Sequence, residues 1–297
     1  MKILVGNNGL GNPGGSETYT YALIAELVRR GHTVHAVGKT GPGQVSRKLE
    51  ALGVPCFFKP ITGKYDLILL SHSSSIDLAK NATGFKVQTC HGVFPKLEQP
   101  VPGMDAYVAI SEEVQTHLKS LGFESTVIRN GVDCFRYKPT TPINKKLTTV
   151  LSLAHSEPAN EIIKAACKII GVNLIINNKF KEFKWDVEKI IDKADLVISL
   201  GRGAYESMAS GRNVVIFDKR GYMKLPAVGD GIVTKETVGN YLQNNCSGRY
   251  TKKEFDAKLL AKEILKYNHQ HGYDLREYAL ENLNIEIQVR KYLQLKK

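Results

Sequence analysis

Short apolar runs that stop at a glycine or polar turn and hand over to a helical pattern recur along almost the whole chain. Residues 2–6 form the first run, followed by Gly6 to Gly15, a stretch with five glycines and one proline. From Ser16, a plausible N-cap, Tyr21, Leu23, Ile24, Leu27 and Val28 fall at helical spacing until Gly31 stops the helix. Strands are predicted over 33–37, 54–57, 66–70, 86–89, 105–110 and 126–128, with helices over 44–52, 75–81 and 111–121. A second series reads as strand 149–153, helix 157–170, then strands 172–176, 196–200 and 214–217. Strands alternating with helices at this spacing specify a mostly parallel, doubly wound sheet, and the series occurs twice. The expected domains are therefore 1–138 and 147–275, with a terminal helix over 276–297 that packs back on the first domain. Arg136 to Lys146, with Pro139 and Pro142, reads as a linker, and the last fifty residues as helices over 252–267 and 274–295. Ligands of such sheets bind beyond the carboxyl ends of the strands, which here carry the glycine loops of two domains expected to face each other across a cleft.

Composition narrows the function. The 297 residues contain no 18-residue apolar window, and the N-terminus turns glycine-rich too soon for a signal peptide. Five scattered cysteines, never in a C-x-x-C pair, argue against disulfide frameworks and zinc sites and fit a reducing, cytoplasmic setting. The net charge of +12 is spread along the chain, +4 over residues 1–140 (15 basic, 11 acidic) and +8 over the remainder (26 basic, 18 acidic). Such a field attracts anions: nucleotides, acidic membrane surfaces or nucleic acid.

Two glycine stretches are candidates for phosphate. Gly9-x-Gly11-x-x-Gly14 follows a strand and formally matches the dinucleotide-binding pattern. The acidic residue that should close that pattern after the second strand is replaced by Gly38-Lys39. NAD is thus disfavoured, and an NADP oxidoreductase is a weaker alternative. In the second stretch an apolar run (195–200) enters Gly201-Arg202-Gly203, a helix is expected from Tyr205, and a strand leaves at Val214. Free N–H groups at a helix N-terminus attract anions, and Arg202 would add a bidentate phosphate donor there. His91, followed by Gly92, and His72, in Ser71-His72-Ser73, end strands and are placed to meet a ligand. No Walker loop, Gly-x-Ser-x-Gly elbow, His-Glu-x-x-His or Asp-x-Asp motif exists, so hydrolytic triads and a metal site are not expected.

Taken in order, these pieces resemble the retaining nucleotide-sugar glycosyltransferases of family four, which have the GT-B architecture of two Rossmann-like domains. The matching stretches are Gly14-Gly15-Ser16-Glu17, Arg30-Gly31-His32-Thr33-Val34, His91, Ala109-Ile110-Ser111-Glu112, Arg129-Asn130-Gly131-Val132-Asp133, Glu206-Ser207-Met208-Ala209-Ser210-Gly211 and Tyr278-Ala279-Leu280-Glu281-Asn282. The resemblance implies an acceptor side on the first domain and a donor side on the second. It assigns His91 to the donor sugar in the reaction itself, and Arg202 joins it by its place at the helix start rather than by the family pattern. Gly14, Gly15, Arg129, Asn130, Gly201, Arg202, Gly203, Glu206 and Ser207 fall to the donor, Glu206 on the ribose hydroxyls, and Glu17 and His72 to the acceptor. It implies no cofactor beyond the nucleotide-sugar substrate, and a glycan or lipid acceptor reached with or without peripheral association to the inner face of an acidic membrane. A modified nucleic-acid base is a lower-ranked acceptor.

Two departures from the family pattern sharpen the expectation. The stretch Leu151 to Pro158, where the family carries an Arg and a Lys for the diphosphate, has neither, and the family's first glutamate falls on Ile198. Either Arg202, with Lys219 or Arg220, supplies the missing charge, or the chain binds sugar nucleotides without transferring.

Overall fold

The computed structural model describes residues 1–178, 181, 184–220 and 226–296. The chain divides into two compact units, one of Met1–Gly131 with Ile285–Lys297, the other of Val132–Asn284.

In the first unit the elements run β1 (Lys2–Gly9), α1 (Gly15–Arg29), β2 (Thr33–Thr40), α2 (Gln44–Glu50), β3 (Cys56–Phe57), β4 (Gly63–Leu70), α3 (Ser73–Ala79), β5 (Ala82–Cys90), β6 (Ala106–Ala109), α4 (Glu112–Ser120) and β7 (Thr126–Val127). The seven strands are all parallel, in the order β3-β2-β1-β4-β5-β6-β7. This is the doubly wound order, and it reverses between β1 and β4, which opens a crevice at their carboxyl ends. Near-continuous apolar runs such as Ile3-Leu4-Val5 and Leu67-Ile68-Leu69-Leu70 form these strands because both faces of the sheet are covered. The N-cap of α1 is Gly14, not Ser16, and no side chain caps the helix.

The second unit contains β8 (Thr149–Ser152), α5 (Glu157–Ile170), β9 (Asn173–Ile176), α6 (Val187–Ile191), β10 (Leu196–Ser199), α7 (Gly201–Ala209), β11 (Asn213–Asp218), β12 (Val228–Ile232), α8 (Val238–Leu242), β13 (Lys253–Glu254), α9 (Ala257–Ile264) and α10 (His269–Asn282). Its sheet runs β13-β12-β11-β10-β8-β9 and reverses between β8 and β10. The four strands from β11 to β9 are parallel, while β12 and β13 add on antiparallel.

Several expectations change here. β12 reads Val-Gly-Asp-Gly-Ile, and its glycines hide it from any apolar pattern. Gly229 is required there, because a side chain would strike the Ile216 carbonyl beside a register shift in β11. The helix expected over 252–267 shortens to α9 behind the two-residue β13. The helix expected over 274–295 breaks into α10 and α11 (Ile285–Gln294), and α11 belongs to the first unit. The change of unit falls at Gly131/Val132 and at Asn284/Ile285, against the sequence boundaries of 138 and 276.

The segment read as a linker is stitched into the second unit. Tyr137 is buried, Thr140 and Thr141 donate to the Asp192 carboxylate, and the wholly buried Arg212 reaches Thr141 and Asp192. Arg276 donates to the carbonyls of Cys134 and Tyr137. Buried backbone acceptors need such partners, and charged donors hold them more tightly than neutral ones.

Candidate functional site

At the sheet reversal of the first unit, the loop after β1 meets the ends of β4 and β5. Asn8 N–H donates to His72 Nδ1 (3.3 Å), and Ser74 Oγ donates to Asn8 Oδ1 (2.7 Å). His72 is buried, and burial pulls its pKa down to about 4, so the ring is neutral and carries its proton on Nε2. The His91 ring stacks on it, with centroids 6.0 Å apart and planes at 21°, and takes the edge of Tyr19 at 4.9 Å. His72 and His91, singled out separately in the sequence, are thus one group.

The glycine loop beside them is not an open cradle. Glu17 lies in the first turn of α1, and its carboxylate folds back over the loop. A side chain at Gly14 would collide with one of its oxygens, and one at Gly9 would come within 3.0 Å of the other. A carboxylate therefore already occupies the positive end of α1. A dinucleotide pyrophosphate would have to displace it, which counts against the NADP reading.

Arg129 and Asn130, expected at the donor, belong to the first unit. Arg129 pairs with Glu112, the first residue of α4, whose N-cap Ser111 accepts from Val114 N–H. Asn130 is buried, and its Oδ1 has no partner among the described residues. Gly131 is a packing glycine, because a side chain there would meet Ile285 Cα at 2.6 Å.

At the sheet reversal of the second unit, α7 starts directly after β10. It begins at Gly201, four residues earlier than expected, so Arg202 sits in the first helical turn. The N-cap is Leu200, which has no side-chain acceptor to offer, and the first turn holds no acidic residue. Gly201 takes a left-handed φ of +50°, and its N–H donates to Cys246 O (3.0 Å). Cys246 and Asn245 themselves have φ of +46° and +55°, and Asn245 Oδ1 accepts from Tyr205 OH (2.9 Å). Two consecutive non-glycine residues in that region store strain of about 1–3 kcal/mol each, which the surrounding contacts must hold. Gly203 allows α7 to sit close on β10, since a side chain would strike Ser199 Oγ.

The two charges singled out in the sequence face each other. Arg202 Nε lies 2.7 Å from Glu206 Oε1, one helical turn on, with side-chain exposures of 10% and 8%. Neither is a freely projecting surface charge, and each neutralises the other in a poorly solvated place. Ser207 Oγ donates to Gly203 O (2.7 Å), a bond internal to the helix.

Arg136 was missed because its proline-rich surroundings read as a linker. Its Nε and Nη2 donate to Glu188 Oε2 (3.0 and 2.9 Å), and its guanidinium lies over the rings of Trp185 (4.8 Å) and Tyr137 (5.3 Å). Burial first, then the Glu206 charge, pushes the Tyr137 phenol well above its ordinary range. Glu188, Arg136, Tyr137, Arg202 and Glu206 therefore form one electrostatic group beside the start of α7. Among the described residues, no group of three or more His, Cys, Asp or Glu side chains is arranged to hold a metal ion.

These two Rossmann-like α/β units define the GT-B fold class. No protein-family model matches the chain, and no curated protein sequence matches it. Solved structures do. A glycosyltransferase from Rickettsia africae ESF-5 is similar over 100% of this chain and 97% of its own, at 16% identity and a TM-score of 0.62. An alpha-glucosyltransferase in complex with UDP and a 13-mer DNA containing an HMU base is similar over 100% and 99%, at 11% identity and a TM-score of 0.62. AviGT4, a glycosyltransferase involved in avilamycin A biosynthesis, is similar over 99% and 96%, at 13% identity and a TM-score of 0.59. At such identities the likeness defines the fold.

Proposed function

We propose that the protein is a glycosyltransferase that moves a sugar from a nucleoside-diphosphate sugar to a hydroxyl acceptor, with retention at the anomeric carbon. The observation that carries this reading is the start of α7. An N-terminus without a side-chain cap opens at the sheet reversal, with the Arg202–Glu206 pair on its first turns, in a fold shared with glycosyltransferases. The helix end and Arg202 favour the diphosphate, whose negative charge grows as the sugar departs. Glu206, acceptor-only when ionised, suits two ribose hydroxyls. Nucleotide binding then exchanges one set of partners for another: ribose hydroxyls take over Glu206, and Arg202 turns to phosphate. The first unit receives the acceptor, with Glu17 and His72 along it and His91 donating a hydrogen bond to the reacting sugar.

A glycan or lipid acceptor ranks first. No described helix is long and apolar enough to cross a membrane, so a lipid acceptor would be met at a membrane surface. The acceptor could instead be a modified nucleic-acid base, a reading favoured by the +12 charge and by the DNA bound to one similar structure.

Thermal unfolding with UDP, GDP, ADP and NADP tests the donor. A ligand at a hundred times its Kd stabilises by about 2.7 kcal/mol. A nucleoside diphosphate should raise the melting temperature, and a rise with NADP alone would refute the proposal. Donor hydrolysis or transfer then separates an enzyme from a binding module.

A further inference from the structure

Behind His91, the first unit buries a chain of polar groups that its packing does not require. Tyr19 on α1, Tyr292 and Gln288 on α11, and Thr89 on β5 are each at most 2% exposed. Phenylalanine rings would fill the same space without burying hydroxyls, which cost stability unless they are bonded. Every hydroxyl here has a hydrogen-bond partner. Gly131 N–H donates to Gln288 Oε1 (2.9 Å), which turns the Gln288 amide nitrogen toward Tyr19 OH (3.4 Å). Tyr19 OH lies 3.0 Å from Tyr292 OH, which in turn lies 2.7 Å from Thr89 Oγ1, each pair within hydrogen-bonding distance. Hydrogen-bonded buried side chains of this kind restrict one another's arrangement. Burial pushes the Tyr292 phenol up to about 12, so it stays a proton donor at any physiological pH.

The end of this chain touches the histidine pair. The Tyr19 and His91 rings meet edge-to-face at 4.9 Å and 77°, and Thr89 lies two residues before His91, near the end of β5. Edge-to-face packing prefers one relative orientation of the rings, so fixing Tyr19 fixes a wall of the His91 position. The helix that carries Tyr292 is held independently, by Arg29 on Glu286 (2.8 Å) and by Arg30 on the Glu286 carbonyl (3.0 Å).

We propose that Tyr292 is a positioning residue: through Tyr19 and Thr89 it sets the orientation of the His91 ring, so the last helix tunes the reactive strand end. This rests on the role given to His91 above. The test is Tyr292→Phe, which keeps the ring and removes the hydroxyl. The His91 imidazole resonance, assigned by its loss in His91→Gln, should shift, and kcat should fall roughly tenfold with donor KM unchanged, as expected for a small misplacement of a reacting group. A variant with a lower melting temperature but an unmoved His91 resonance would overturn the proposal and leave Tyr292 a packing residue. So would an unchanged kcat in a protein whose transfer His91→Gln impairs. Should His91→Gln leave transfer intact, the functional reading of His91 fails, while the resonance still reports the coupling. If Tyr292→Phe does not fold, Thr89→Val breaks the same link from the strand and is read by the same two signals.

Discussion

The two glycine loops look alike in sequence and differ in what fills them. Both follow a parallel strand, both open a helix, and both stand where the strand order reverses. At α1 the helix end is taken by the chain's own Glu17 carboxylate, and histidine and tyrosine rings stand beside it. At α7 no acid lies in the first turn, and an arginine paired with a glutamate flanks the opening. One helix end already faces a carboxylate of its own chain. The other holds a charge pair, which under the proposed function a nucleotide divides. Glycine spacing alone does not separate these cases, because the separation depends on where one carboxylate folds.

The largest effect should come from dividing the α7 pair. Arg202→Ala is expected to lower turnover about a hundredfold, as for loss of one charge-stabilising donor, and to lower the melting temperature by stranding Glu206. Turnover that survives unchanged would reduce the pair to a structural clasp. Glu206→Ala should weaken UDP binding by about 2 kcal/mol in titration calorimetry, the scale of a hydrogen bond to a charged group. An equal loss from Glu17→Ala would erase the distinction between the loops.

Acid should act on the first unit. The folded pKa of His72, about 4, lies below its unfolded value near 6.5, so the unfolded chain binds the proton first as pH falls. The neutral ring's contribution is complete above pH 6.5 and is lost as pH drops toward 4. Between pH 7 and 5 this amounts to about 2 kcal/mol, and His72→Gln should flatten that part of a denaturant-unfolding profile.

Smaller effects come from the glycines. Gly203→Ala, driven into Ser199 Oγ close on β10, should cost about 1–3 kcal/mol of stability by overpacking. Gly14→Ala meets only the end of the flexible Glu17 side chain and should cost less. Glu17→Ala should raise the acceptor KM a few-fold at unchanged nucleotide affinity. If it tightened nucleotide binding instead, the first loop would be a masked phosphate site.

Much of this molecule could be read from its residues. The apolar runs of β1, β4 and β10 and the helices after them follow from periodicity, because strands buried on both faces admit few polar residues. His91 stood out because a polar residue at the end of such a run has no packing reason to be there, and Glu206 through the resemblance carried by Glu206 to Gly211. What failed were features without a local pattern. β12 is hidden by glycines that close backbone approach demands, and Arg136 was lost in a proline-rich segment that proves to be stitched down. The start of α7 was misplaced because Gly201 and Gly203 lower helix propensity, an effect that contacts with Cys246 and Ser199 override.

The sequence by itself determined two mostly parallel, doubly wound units and the strand ends that carry their candidate residues, since burial and period act over neighbouring residues. Only the tertiary structure decided that the returning helix breaks off at Ile285, that His72 and His91 stack as a pair, and that Arg202 and Glu206 hold each other. These depend on side chains brought together from distant strands, or on which of several polar partners a buried charge selects. That selection is set by desolvation in the folded protein, a quantity that no stretch of residues possesses alone.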